Sequence, residues 1–230
     1  MKKGLLIDFE GGEFTGKTTQ LRRARTYLEE KGYTVLATHE PGGGDPQIRQ
    51  KLLEAREKLT PEQELDLFCE DRRLHVQNLI RPALAEGKIV LLDRFEPSTI
   101  AYQGYGRGLP IDRIKQKSSD ARHGVWPDLI ILLSANPARV MNRAPLATRT
   151  DRFEKEKLVF HRRVWRGFLA QAAEDKKRWR VIDATLSEEE VWRYIRYILR
   201  NSMPPPALLK RGRRVPNPFQ MLKHFHLSQA

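Results

Sequence analysis

Apolar residues fall along the chain in two alternating rhythms. Short unbroken runs, four to six residues long, are separated by longer stretches in which apolar residues recur at helical spacing. Leu5–Glu10 reads as a first strand, followed by a glycine-rich turn and a helix from about Lys17 to Lys31, which Gly32 and Tyr33 punctuate. Val35–Thr38 is a second strand. Pro61-Glu62-Gln63-Glu64 marks a helix start, and that helix is expected to pass through Phe68, Arg72 and His75 towards Leu79 and Leu84 and to stop near Gly87. Ile89-Val90-Leu91-Leu92 closed by Asp93 suits a strand buried on both faces. Leu129–Leu133 and Arg180–Ile182 are two further strands. Strands alternating with helices predict βαβ units and an α/β domain on a central, mostly parallel five-stranded sheet. Functional residues in such a sheet belong beyond the carboxyl ends of the strands.

At 230 residues, 40% of them hydrophobic, the chain suffices for one α/β domain with a real core. No internal repeat is visible. The composition changes near Ser202, where Met203-Pro204-Pro205-Pro206 breaks a helix and a basic stretch follows. This divides the chain into a domain over 1–201 and a basic, proline-containing tail over 202–230. Phe219, Leu222 and Phe225 are spaced for a short docking helix or a frayed terminus. The formal charge is +13, and +5 of it comes from Lys210, Arg211, Arg213, Arg214 and Lys223, with no acid after residue 200. Such a balance attracts polyanions, including nucleotides and nucleic acids. Cys69 is the single cysteine, so no intramolecular disulfide forms. Leu5-Leu6-Ile7 is too short for a membrane span or a signal-peptide core. The expectation is a reduced, cytoplasmic protein with no membrane partner.

Gly11-Gly12-Glu13-Phe14-Thr15-Gly16-Lys17-Thr18 matches G-x-x-x-x-G-K-[ST] between a strand and a helix, the context that motif requires. Backbone N–H groups there cradle the phosphates of ATP, Lys17 reaches them as a point charge, and Thr18 offers a hydroxyl to Mg²⁺. Asp93, ending an apolar run, completes the Mg²⁺ site. Phe14 is the anomaly: a bulky residue is strained if its position requires φ > 0.

From here the residues resemble the thymidylate kinase family of P-loop kinases. The likeness is carried by Glu40-Pro41-Gly42-Gly43, by Leu67-Phe68 with Asp71-Arg72 and His75, and by Asp93-Arg94-Phe95 with Ser98, Thr99 and Ala101-Tyr102-Gln103-Gly104. It continues through Gly106–Leu109, Pro127-Asp128-Leu129, Asp151-Arg152-Phe153-Glu154 and Val181-Ile182-Asp183-Ala184, in order over roughly residues 3–200. The resemblance implies a P-loop kinase fold with a short LID, transfer of the ATP γ-phosphoryl group to dTMP, and a homodimer. It implies that Phe68 stacks on thymine, Arg72 reads a base carbonyl and Arg94 grips the acceptor phosphate. Ser98, Thr99, Tyr102 and Gln103 then line the base and sugar pocket, Glu13 lies near the 3′-hydroxyl, and Glu40 orients this shell. With no cation at Glu13-Phe14-Thr15, the resemblance assigns the catalytic arginine to the LID, as Arg149 or Arg152 within Arg143–Arg152. His39, Cys69-Glu70, Ser134 and Asn136 depart from the usual pattern. Three other readings stay open. One is a different deoxynucleotide acceptor. Another is a weakened or inactive scaffold whose tail binds nucleic acid or a partner. The third, a regulatory GTPase, lacks the N-K-x-D guanine motif.

Overall fold

The computed structural model describes residues 4–54, 59–143 and 151–210. Five strands form one sheet: β1 (Leu5–Glu10), β2 (Val35–His39), β3 (Ile89–Asp93), β4 (Leu129–Ser134) and β5 (Trp179–Asp183). Their order is β2-β3-β1-β4-β5 and every pairing is parallel. All five lie where the unbroken apolar runs predict them. β1 is central, wholly buried, and paired on both sides, with Ile7 opposite Leu91 of β3 and Leu129 of β4. The chain leaves β1 between β3 and β4, where the connections part to opposite halves of the sheet. That switch point opens a crevice at the carboxyl ends of the strands.

Helices cover both faces. α1 (Lys17–Glu30) turns Leu21, Ala24 and Leu28 inward at the i, i+3, i+7 spacing of an amphipathic helix. After α2 (Pro46–Glu54) comes α3 (Pro61–His75), opened by Thr60, which accepts from the Gln63 N–H while the Gln63 side chain accepts from Thr60 N–H. α3 continues through a π turn, Val76–Ile80, into α4 (Arg81–Ala85), so the long helix expected from Pro61 to near Gly87 is present with an interruption. Pro82 supplies the reason, since it has no N–H to continue the ladder. α5 (Glu96–Thr99) likewise runs into a π segment, Ile100–Gly106. α6 (Ile111–Ala121), the short α7 (Pro137–Val140), α8 (Leu158–Glu174), α9 (Glu188–Ser202) and α10 (Pro206–Lys210) follow.

α1 and α9 pack on one face with Ile7, Phe9, Leu91, Ile131, Trp192 and Ile195 in an apolar cluster. α3 and α8 pack on the other. The packed chain runs past the composition break: Ser202 ends α9, Pro204 is buried, and Leu209 of α10 is 3% exposed. The Phe219–Leu227 segment lies outside the described residues.

Candidate active site

The switch-point crevice is a cleft of about 500 Å³. Its floor is the phosphate loop between β1 and α1. Gly11 at φ 146° presses against β4, where a side chain would meet the Leu133 carbonyl at 2.5 Å, so only glycine fits. Phe14 stands at φ 62°: the position does require a left-handed backbone, and a bulky residue holds it. The Thr15 hydroxyl and Lys17 Nζ both donate to the Gly12 carbonyl at 2.9 Å, which closes the loop. Lys17 is only 7% exposed; burial, then the neighbouring Arg94, pushes its pKa down. An anion entering the loop relieves both effects.

Thr18 Oγ1 donates to Asp93 Oδ2 at 2.8 Å, which places a hydroxyl and a carboxylate side by side at the cleft edge. Two hard oxygens beside a phosphate cradle suit Mg²⁺, which keeps waters and takes few protein ligands. No group of three or more His, Cys, Asp or Glu side chains gathers around a metal position among the described residues. The donor set therefore fits Mg²⁺ held jointly with phosphates.

Arg94 is the centre of the second half. It too has a positive φ, 73°, which aims its side chain back at the phosphate loop. Its Nη1 donates to the Gly11 carbonyl and to Ser98 Oγ, both at 3.1 Å, and its Nη2 to Glu13 Oε1 at 2.8 Å. The guanidinium lies 5.1 Å over the Tyr102 ring, whose hydroxyl donates to the same Glu13 oxygen at 2.5 Å. Burial alone raises the Glu13 pKa, but Arg94 and Lys17, helped by the Tyr102 hydroxyl, outweigh it and hold the group at about 2. Beneath them Glu10 accepts from Phe95 N–H, Ser98 N–H and Ser98 Oγ, fixing the turn that carries Arg94. Its own pKa is raised by burial.

Deeper in the cleft, the Phe68 and Phe153 rings lie 6.1 Å apart at a 50° tilt, and Phe153 meets Tyr102 edge-on at 5.7 Å. Gln103 donates through Nε2 to Glu64 at 3.1 Å, while its buried Oε1 has no hydrogen-bond partner among the described residues. Arg72 is 1% exposed and bound by protein on every nitrogen: Nε to Glu40, Nη2 to Thr99, Nη1 to Ser118. Glu40 also meets His75 Nδ1 at 3.1 Å. Asp71 accepts three backbone N–H groups from Gly42, Gly44 and Asp45, which pins the Glu40–Gly43 loop over the cleft.

The sequence-predicted residues converge here with two exceptions. Arg149 lies outside the described residues. Arg152 does not line the cleft: its Nη1 pairs with Glu64 at 2.7 Å and its Nε donates to the Leu52 carbonyl at 2.5 Å. Sequence reasoning missed five contributors. Glu10 was read only as the end of a strand. Arg49 and Leu53 from α2 line the cleft, and Arg49 donates to the Pro41 carbonyl at 2.7 Å. Asp151 and Phe153, read as the end of a loop, reach the same space. No local pattern marks Arg49, which shares a polar helix with Lys51.

A lysine-bearing phosphate loop with a hydroxyl–carboxylate pair, facing a second cation and an aromatic slot across one cleft, defines a P-loop nucleotide kinase. The comparisons narrow the class. Residues 9–195 match the family model described as thymidylate kinase. A protein named thymidylate kinase from Thermomicrobium roseum is 46% identical over 220 residues, 91% of this chain and 98% of its own length. One from Nitratidesulfovibrio vulgaris is 40% identical over 213 residues, 88% of this chain and 99% of its own. The crystal structure of thymidylate kinase from Ehrlichia chaffeensis superposes with a TM-score of 0.70 at 32% identity, covering 85% of this chain and 98% of that one. The chain belongs to the thymidylate kinase family. No helix among the described residues is long and apolar enough to cross a membrane.

Proposed function

We propose that the protein transfers the γ-phosphoryl group of ATP to the phosphate of dTMP, giving dTDP and ADP. The observation that carries this reading is Arg94, held at a strained backbone position between the phosphate loop and Ser98, with the aromatic slot beyond it. A guanidinium fork there matches phosphate oxygens, and the slot accepts a planar base. The Arg72–Glu40–His75 group supports the wall around it, and Arg72 reaches a base only through exchange of one of its present bonds.

The acceptor phosphate is already ionised at neutral pH, so no general base is needed. An acceptor oxygen bonds to the γ-phosphorus as the bond to the β–γ bridging oxygen breaks, and ADP leaves with that electron pair. This chain supplies alignment and charge. Lys17 lies against the donor phosphates and Arg94 holds the acceptor. Glu13, ionised throughout the physiological range, keeps Arg94 and Tyr102 in place. Thr18 and Asp93 would hold Mg²⁺, which when bound neutralises phosphate charge. A LID arginine, Arg149 or a repositioned Arg152, adds charge in the transition state. The same reading places the protein in the cytoplasm as a homodimer, which sedimentation checks.

The test is ADP release with ATP, Mg²⁺ and dTMP, run beside dUMP, dGMP, dCMP and AMP with a Lys17→Ala control. Turnover on dTMP that disappears in the control supports the reading. Faster turnover on another acceptor reassigns the substrate, and no turnover from folded protein defeats the catalytic reading.

A further inference from the structure

Behind the cleft wall, one buried carboxylate gathers more donors than its helix needs. Glu64, in the first turn of α3, is 1% exposed and does not itself line the cleft. Among the described residues, three side chains from two other parts of the chain converge on it. Its Oε1 pairs with Arg152 Nη1 at 2.7 Å. Its Oε2 accepts from Gln103 Nε2 at 3.1 Å and from Arg107 Nε at 3.2 Å. Gln103 belongs to the π segment that also carries Tyr102, Arg107 follows that segment, and Arg152 comes from the stretch before α8. A buried carboxylate is costly unless opposite charge and hydrogen bonds compensate it. Here two guanidiniums face two carboxylates, since Glu156 takes the other end of Arg107.

What these donors hold is the aromatic slot. The Arg152 guanidinium lies 4.6 Å and that of Arg107 5.6 Å from the centre of the Phe153 ring, and Arg107 also lies 4.6 Å over Phe160. Phe153 is 5% exposed, lines the cleft and meets Tyr102 edge-on. A cation over a ring is held by the ring's quadrupole, so two guanidiniums fixed by one carboxylate fix the ring as well. Gln103 also lines the cleft. A carboxylate paired with arginine only accepts, so Glu64 takes the Gln103 amide by its NH₂ and decides which way it is turned. The phosphate-handling half is held by other groups. Arg94 depends on Glu13, Ser98 and the Gly11 carbonyl, and Lys17 on the Gly12 carbonyl.

We propose that Glu64 is a positioning residue for the acceptor base: from behind the wall it sets the orientation of Gln103 and, through Arg107 and Arg152, the place of Phe153. This rests on the reading of the cleft as a dTMP site. It divides the labour there, with Glu64 serving capture of the acceptor while Lys17 and Arg94 serve transfer.

The test is steady-state kinetics of the full chain on dTMP, with the melting temperature recorded for each variant. Glu64→Gln keeps the shape and removes the charge. It should raise KM for dTMP roughly tenfold, as expected for buried donors that lose their acceptor. The kcat should stay within about twofold and KM for ATP should not move, the signature of lost uniform binding. Arg107→Met should raise the same KM, and in that background Glu64→Gln should add less than it does alone, because both changes remove one shared interaction. If Glu64→Gln does not fold, Glu64→Asp replaces it: the charge stays, but the side chain is one methylene too short to hold Gln103 and Arg152 together, and the same selective rise in KM is expected. An unchanged KM for dTMP in folded variants overturns the proposal. So does a loss shared equally by kcat, KM for ATP and KM for dTMP, since Glu64 would then serve only the fold, and so do strictly additive effects of Glu64→Gln and Arg107→Met. Absence of turnover in the parent protein defeats the reading of the cleft, and the proposal with it; parent turnover with unaltered variants defeats the proposal alone.

Discussion

The two faces of strand β1 differ sharply. Leu5, Ile7 and Phe9 point into the apolar cluster under α1 and α9. Their neighbours Leu6, Asp8 and Glu10 alternate to the other face, where the chain buries Asp8, Glu10, Glu40, Arg72 and His75. Both Asp8 oxygens are without a hydrogen-bond partner among the described residues. One face is built as a core should be and holds the sheet together. The other sacrifices stability to keep charge beside the nucleotide cleft, because charges in a dry site act strongly on a bound phosphate.

The comparison is broken most forcefully from the apolar side. Phe9→Ala should cost about 3–5 kcal/mol of stability in denaturant unfolding, while the protein that remains folded keeps its kcat. On the charged side the effect should fall on chemistry. Arg94→Ala should lower kcat/KM for dTMP by roughly 10²–10³-fold with the melting temperature nearly unmoved. A collapse of the fold instead would make Arg94 a structural residue.

Asp8→Val sharpens the contrast and should raise stability by about 1–3 kcal/mol at neutral pH. Burial first, then the neighbouring acids Glu10, Glu40 and Asp93, raise the Asp8 pKa well above its usual 3.8. A carboxyl with a raised folded-state pKa stabilises fully only below its unfolded value, and that contribution is lost as pH rises towards the folded value. The gain from Asp8→Val should therefore grow as pH is raised from about 4 in chemical unfolding; a gain that shrinks with pH would mean that Asp8 is ionised and paired. The smallest effect is expected at Phe14→Gly. Relief of the left-handed strain and the added freedom of the unfolded chain oppose each other, so stability should shift by less than about 1 kcal/mol. A loss of turnover there would show that the Phe14 ring serves the phosphates.

How much was legible follows the range of the interactions. The phosphate loop, Asp93, Arg94 and the slot residues Phe68, Tyr102 and Gln103 could be named in advance, since each sits in a contiguous stretch that constrains its own backbone or carries the family likeness. Arg49 and Leu53 could not, because only the packing of α2 makes them part of the cleft; Asp151 and Phe153 stand in a stretch that carries the likeness, but only the packing of the segment before α8 puts them at the cleft. Arg152 shows the converse. It lies in the expected stretch, yet its guanidinium goes to Glu64, 88 residues earlier in the chain.

By itself, the sequence determined the strands and the phosphate loop, since these are properties of a few neighbouring residues. Tertiary structure alone decided that Phe14 holds a left-handed backbone, that Asp8 is buried without a hydrogen-bond partner among the described residues, and that Arg72 is occupied by Glu40, Thr99 and Ser118. Burial and pairing depend on what arrives from distant parts of the chain, and no local pattern records that.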